Sequence, residues 1–165
     1  MSGPGESDQP GSTLLTGGAV VTVNDQGTVH DPGWVLVNGP VIADVGAGEP
    51  PHSARRNAET VIDTSGSVVM PGMVNGHTHL FQTLFRGLAD DKSLLDWLRD
   101  CIWPVAGEID AEAARAAATL GLIENLRSGS STVIDHQYVH ADPDIDDAIC
   151  QVAADLGIRF ELARG

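Results

Sequence analysis

Short apolar runs broken by turn residues fill the first third of the chain, and longer runs at helical spacing fill the rest. Leu14 to Val23 predicts a strand, loosened in its first half by Gly17-Gly18. Asn24-Asp25-Gln26-Gly27 predicts a turn. Trp34-Val35-Leu36-Val37 and Val41-Ile42-Ala43-Asp44-Val45 flank Asn38-Gly39, a strong hairpin signal, and Pro40 places the second strand on an edge. Gly46 to Pro51 reads as a loop, Thr60-Val61-Ile62-Asp63 as a short strand and Thr64-Ser65-Gly66 as a turn. Residues 13–66 are thus expected to form a small all-β unit.

The pattern changes after Gly66. Val68, Val69, Met70, Met73 and Val74 predict a strand over 67–74 covered on both faces. A short helical piece, Leu80 to Leu88, follows, and then a helix over about Ser93 to Ile102 that Pro104 stops. Asp110 is a good N-cap for a long helix ending near Ser128, with Ala113, Ala116, Ala117, Leu120, Ile123 and Leu126 as its apolar stripe. Ser131-Thr132-Val133-Ile134 is the next strand. Asp142 and Pro143 open a helix with Ile145, Ala148, Ile149, Val152, Ala153 and Leu156 on one side and Gly157 at its end; Ile158 to Ala163 is a third strand. Strand, helix, strand, helix, strand predicts parallel strands with crossover helices, so the fold class is α/β.

Composition narrows the function classes. The net charge is -14, with 23 acidic against 9 basic residues, which disfavours nucleic acid as a partner. Residues 1–12 have no basic start and no apolar run, which argues against a secretory signal and suits a disordered tail. No apolar run approaches the ~20 residues that span a bilayer, so no membrane partner is expected. The two cysteines, Cys101 and Cys150, are far apart and read as small buried hydrophobes in a cytoplasmic, reducing setting.

The chemistry gathers at Pro71-Gly72-Met73-Val74-Asn75-Gly76-His77-Thr78-His79. Side chains alternate along an extended chain, so His77 and His79 point to one side and can bind one ion, and Gly76 leaves room for the backbone to approach it. A His-x-His pair is also what an ordinary polar strand end looks like; the apolar strand before it and the Pro-Gly and Asn-Gly steps favour metal. A catalytic zinc usually keeps three protein ligands, so two histidines are part of a site.

With those residues in view the chain resembles the N-terminal part of the amidohydrolase superfamily, in the branch of amino-heterocycle deaminases and triazine hydrolases. The motif 71–79 is similar to its first-strand metal signature. Arg86-Gly87-Leu88-Ala89-Asp90-Asp91, Asp96-Trp97-Leu98, Ile102-Trp103-Pro104 and Ser128-Gly129-Ser130-Ser131-Thr132-Val133-Ile134-Asp135 extend the likeness from about Thr13 to the last residue. The resemblance implies the first part of a (β/α)₈ TIM barrel over 67–165, preceded by half of a small β-sandwich over 13–66. It implies a divalent metal, zinc or alternatively iron, held by His77 and His79. It implies a hydrolase acting on carbon–nitrogen bonds other than peptide bonds, deaminating a small purine-like or triazine-like heterocycle. Gln82 and Trp103 are its implied substrate contacts, with Trp103 equally readable as a core anchor beside Pro104. A homodimer is what family members often form.

Ala106 stands where nucleoside-deaminating relatives carry an acid for the ribose hydroxyls. The segments Leu80-Phe81-Gln82-Thr83 and Asp135-His136-Gln137-Tyr138 are more similar to 8-oxoguanine deaminase and triazine hydrolase relatives, which favours a free base. A closed barrel takes ~250 residues, so residues 68–165 hold about three strands, and the remaining metal and proton-handling residues are expected beyond Gly165. The rival expectation is a truncated, non-catalytic fragment. The other polar groups read as structural: Arg86 paired with Asp90 or Asp91, Asp135 capping the turn after its strand, His136 and His140 solvated, and Glu108, Asp110 and Glu112 at a helix N-terminus.

Overall fold

In the computed structural model, residues 11–165 are described, so the expected tail falls almost wholly outside them. They divide into two compact units, one running to Pro71 and the other covering Gly72–Gly165.

The first unit is built from two sheets. Strands β1 (Ser12–Thr16), β4 (Gly33–Asn38), β5 (Val41–Ala47) and β6 (Thr60–Asp63) form one sheet in the order β5-β4-β1-β6. Strands β2 (Ala19–Val21), β3 (Val29–His30) and β7 (Val68–Val69) form the other in the order β3-β2-β7. The hairpin turns at Gly39, whose φ of 53° is open to glycine, and β5 is an edge strand, as Pro40 requires. Trp34 is buried across from Gly46, where a Cβ would stand 2.7 Å from the indole, so only glycine fits there. A short helix, α1 (His52–Asn57), begins directly after the expected loop and was not legible in its sequence.

The run over 67–74 is two strands rather than one. Val68–Val69 pairs with β2 in the first unit, and a new strand, β8 (Met73–Thr78), begins beyond Pro71-Gly72. Pro71 lacks the N–H that a continuous ladder needs.

The second unit is a parallel sheet ordered β10-β9-β8, from β8, β9 (Ser130–Gln137) and β10 (Arg159–Arg164). Helices α4 (Ala111–Arg127) and α5 (Ile145–Leu156) make the crossovers. Between β8 and α4 run a 3-10 turn (Leu80–Phe85), α2 (Leu94–Trp97), a wide π turn (Leu98–Ile102) and α3 (Trp103–Ala106). Pro104 therefore does not stop a helix: it sits in the first turn of α3, where its missing donor is tolerated. Asp110 caps α4 by accepting the Ala113 N–H at 2.8 Å. Asp142 lies two residues ahead of the true cap, Asp144, and its carboxylate accepts the N–H groups of Asp144 and Ala111.

Leu80, Phe81, Ile102, Leu122, Val133, Ile145 and Ile149 form the sealed core of this unit. The α5 stripe lies inward as its spacing predicts, with Leu156 only half-buried. The α4 stripe does so only at Ala117 and, half-buried, at Ala113. Ala114, Ala117, Ala118, Gly121 and Leu122 face the core, while Leu120, Ile123 and Leu126 are exposed. Of the cysteines, Cys101 is half-buried and Cys150 exposed, so neither is a sealed hydrophobe. Among the described residues no helix is long and apolar enough to cross a membrane.

Candidate functional site

The site grows from the C-terminal end of β8. Its register against β9 slips between Asn75 and Thr78, where β8 spends one residue more than its partner. This bulge falls at Gly76-His77. Asn75 spans it: Nδ2 donates to Asn125 Oδ1 on α4 at 2.9 Å, and Oδ1 accepts the His77 N–H at 3.2 Å. A Cβ on Gly76 would meet nothing within 4 Å, so the tight approach is not there. It is at Gly72, where a Cβ would press on Ser131 of β9.

The rings of His77 and His79 lie edge to face, centres 5.2 Å apart and planes at 84°. With metal–nitrogen bonds of about 2.0–2.1 Å, two imidazoles on one tetrahedral ion have centres roughly 5 Å apart, so the pair fits a shared ion. His79 Nδ1 lies 2.8 Å from the carbonyl oxygen of His136. A ring bonded in this way donates from Nδ1 and keeps Nε2 as a bare lone pair, the arrangement a metal-binding histidine uses. His77 is exposed and His79 half-buried, so an ion can reach both.

The segment after the β9 core strand frames this pair. Asp135 is fully buried, and its Oδ1 accepts the N–H of Leu80 at 2.8 Å, while Oδ2 has no partner. It serves the loop after β8 and does not cap its own turn. Burial pushes its carboxyl up to about 6, against the Leu80 N–H and His79, which pull it down; Asp146 adds to the rise. Tyr138 stacks edge-on against His79 at 5.2 Å and Phe81 at 4.9 Å, and its hydroxyl accepts from Gln82 Nε2 at 2.5 Å. Burial raises the Tyr138 hydroxyl above its ordinary range, so it stays protonated.

A cleft of about 610 Å³ opens beside the pair, lined by His77, His79, Gln82, Arg86, Lys92 and Trp97 among others. Gln82 lines this cleft. Trp103 does not: it is 58% exposed, whereas Trp97 is part of the lining. The two tryptophans bracket the π turn, and that turn was invisible in the sequence. Arg86 grips Glu124 of α4 through both guanidinium nitrogens, Nη1–Oε1 at 2.5 Å and Nη2–Oε2 at 2.6 Å, rather than Asp90 or Asp91. Lys92 Nζ is held by Asp100 at 2.6 Å. His136, expected to be solvated, is exposed, yet its ring centre stands 5.4 Å from that of His79. Among the described residues no set of three His, Cys, Asp or Glu is placed to hold an ion.

A parallel strand that ends in two neighbouring histidines at a cleft, followed by helix-crossover strands, has the form of the start of a (β/α) barrel. The sequence pattern of the amidohydrolase family matches residues 68–165, and the chain belongs to that family. It is 34% identical over 152 residues to a 5-methylthioadenosine/S-adenosylhomocysteine deaminase of Shouchella clausii, covering 92% of this chain and 34% of that protein. It superposes on a triazine hydrolase from Arthrobacter aurescens with a TM-score of 0.80 at 30% identity, covering 93% of this chain and 35% of that one. An adenosine deaminase from Xanthomonas campestris with bound zinc matches with a TM-score of 0.76 at 32% identity, over 90% of this chain and 32% of the other. The chain spans about a third of the length of these proteins, and its mixed α/β fold corresponds to their N-terminal portion.

Proposed function

We propose that the chain carries the metal-anchoring part of a hydrolase that deaminates a purine-like or triazine-like heterocycle at a ring carbon–nitrogen bond. One observation carries this: the His77 and His79 rings are 5.2 Å apart at a parallel strand end, with Nδ1 of His79 engaged and Nε2 free. Two such imidazoles suit zinc, with iron as the alternative. When bound, the ion supplies Lewis-acid activation of water near neutral pH.

The chain's own residues bind and orient. Trp97 offers a flat aromatic surface in the cleft for a planar ring. Gln82 offers a polar edge: with Nε2 on the Tyr138 hydroxyl, Oε1 is left to accept from a ring N–H. Trp97 thus takes the substrate role first given to Trp103. The names of the relatives divide between nucleosides and free rings, and Ala106 offers no carboxylate for sugar hydroxyls, which favours a free ring. A cytoplasmic setting accords with two free thiols, and a homodimer is part of the same proposal for the enzyme.

A second reading is a chain that holds metal through two histidines without turnover. The described residues bring two histidines to the ion, and a catalytic zinc keeps three protein ligands. Ammonia release by the zinc-loaded chain from aminopurines, aminotriazines and their nucleosides separates the readings. Release from free rings that disappears in His79→Ala supports the first reading. Zinc binding without ammonia selects the second, and a folded chain that ignores zinc ends both.

A further inference from the structure

We infer that Asp135 is a positioning residue for the His79 imidazole, acting from inside the protein through the peptide that follows it. Two consecutive residues of β9 bear on His79, one through the Leu80 backbone and one through the ring. The Asp135 carboxylate takes the N–H of Leu80, which fixes the backbone just past His79. The carbonyl of His136 lies against Nδ1 of the ring, which fixes its rotation and leaves Nε2 outward. Leu80 and Phe81 are sealed in the core, so the far end of this short segment cannot drift.

The choice of an acid is informative. An asparagine oxygen would accept the Leu80 N–H as well and would carry no charge, although its amide nitrogen would take the same unpartnered place as the second carboxylate oxygen. The Leu80 hydrogen bond therefore does not require the charge. The cationic partner available to it is whatever the His79 ring carries, and a buried anion behind a ligand strengthens the ligand's hold on a metal ion. Hydrogen bond and charge are separable functions of one side chain. The inference rests on the metal-centre reading, and its test is arranged so that the two fail differently.

Cobalt(II) affinity is measured on the parent chain, Asp135→Asn and Asp135→Ala by chelator competition. The metal-free proteins are followed by NMR through the Leu80 amide and the His79 ring nitrogens. Asp135→Asn is expected to raise the cobalt Kd roughly tenfold and Asp135→Ala up to about 100-fold. The denaturation midpoint of Asp135→Asn is read alongside, and it should fall less than that of Asp135→Ala, which loses the Leu80 acceptor. In the metal-free chains the Leu80 amide proton should move upfield in Asp135→Asn, where the acceptor loses its charge. In Asp135→Ala that amide should lose its exchange protection. An unchanged cobalt Kd in Asp135→Asn would overturn the charge role, and it decides the matter even if Asp135→Ala does not fold. If the parent binds no cobalt, the metal-centre reading falls by itself. The NMR arm still decides the placement: Leu80 and His79 signals unmoved in Asp135→Asn would overturn it.

Discussion

Strands β8 and β9 lie side by side in one parallel sheet, and they are built in opposite ways. On β9, Ser130, Val133, Asp135 and Gln137 are buried, three of them fully, beneath α4 and α5. On β8, Met73 is 50% and Val74 65% exposed, and His77 is open to solvent. Among the described residues, the strand that leads to the proposed ligands is the edge of the sheet, and the strand beside it is its buried frame. Metal chemistry needs both: donors free to meet an ion, and a fixed surface that decides where they point.

The sharpest way to break this contrast is at the donors. His79→Ala and His77→Ala should each weaken zinc binding by at least about 100-fold, while leaving the unfolding midpoint nearly unmoved; competition titration and denaturant melts read the two effects. Next comes the frame. Val133→Ala removes two methyl groups from a sealed site and should cost about 2 kcal/mol. Val74→Ala on the exposed edge should cost less than about 0.5 kcal/mol, and urea unfolding of the pair measures the difference. Gly121→Ala should cost about 1 kcal/mol, because its Cβ would stand 2.7 Å from Leu80 and the strain reaches the segment that follows His79. The smallest effect lies at the cleft rim. Arg99 and then Lys92 hold Asp100 down to about 2. A depressed carboxylate contributes above its unfolded value and fades as pH falls, so the difference between parent and Asp100→Asn should be constant above pH 4 and shrink toward pH 2. Melts at stepped pH check that sign.

The same pair of strands explains what the sequence disclosed. Alternating and helical spacings identify elements whose two sides differ, so α5, with its one apolar stripe, was legible down to its buried residues. Helix α4 is apolar and small on nearly every side, and spacing alone put its stripe on Leu120, Ile123 and Leu126, which face out. What turns the helix is steric: Gly121 alone lets Leu80 in. The apolar run before His77 suggested a covered strand, but Pro71-Gly72 divides it between two units. His77, His79 and Gln82 could be singled out because their signal is local in the sequence. Asp135, Asn75 and Trp97 were not, since their roles depend on partners 55, 50 and more residues away or on a π turn that no local signal marks.

The central claim is that one ion is shared by two imidazoles at the C-terminal end of β8. Long-range proton–nitrogen NMR of the histidine rings during a zinc titration tests it most directly. The expected result is that the His77 and His79 nitrogens shift together and saturate at one equivalent, with Nε2 of His79 moving most and the rings of His30, His52 and His140 still. Rings of His77 and His79 that stay in place, or that saturate at different zinc ratios, would contradict the account.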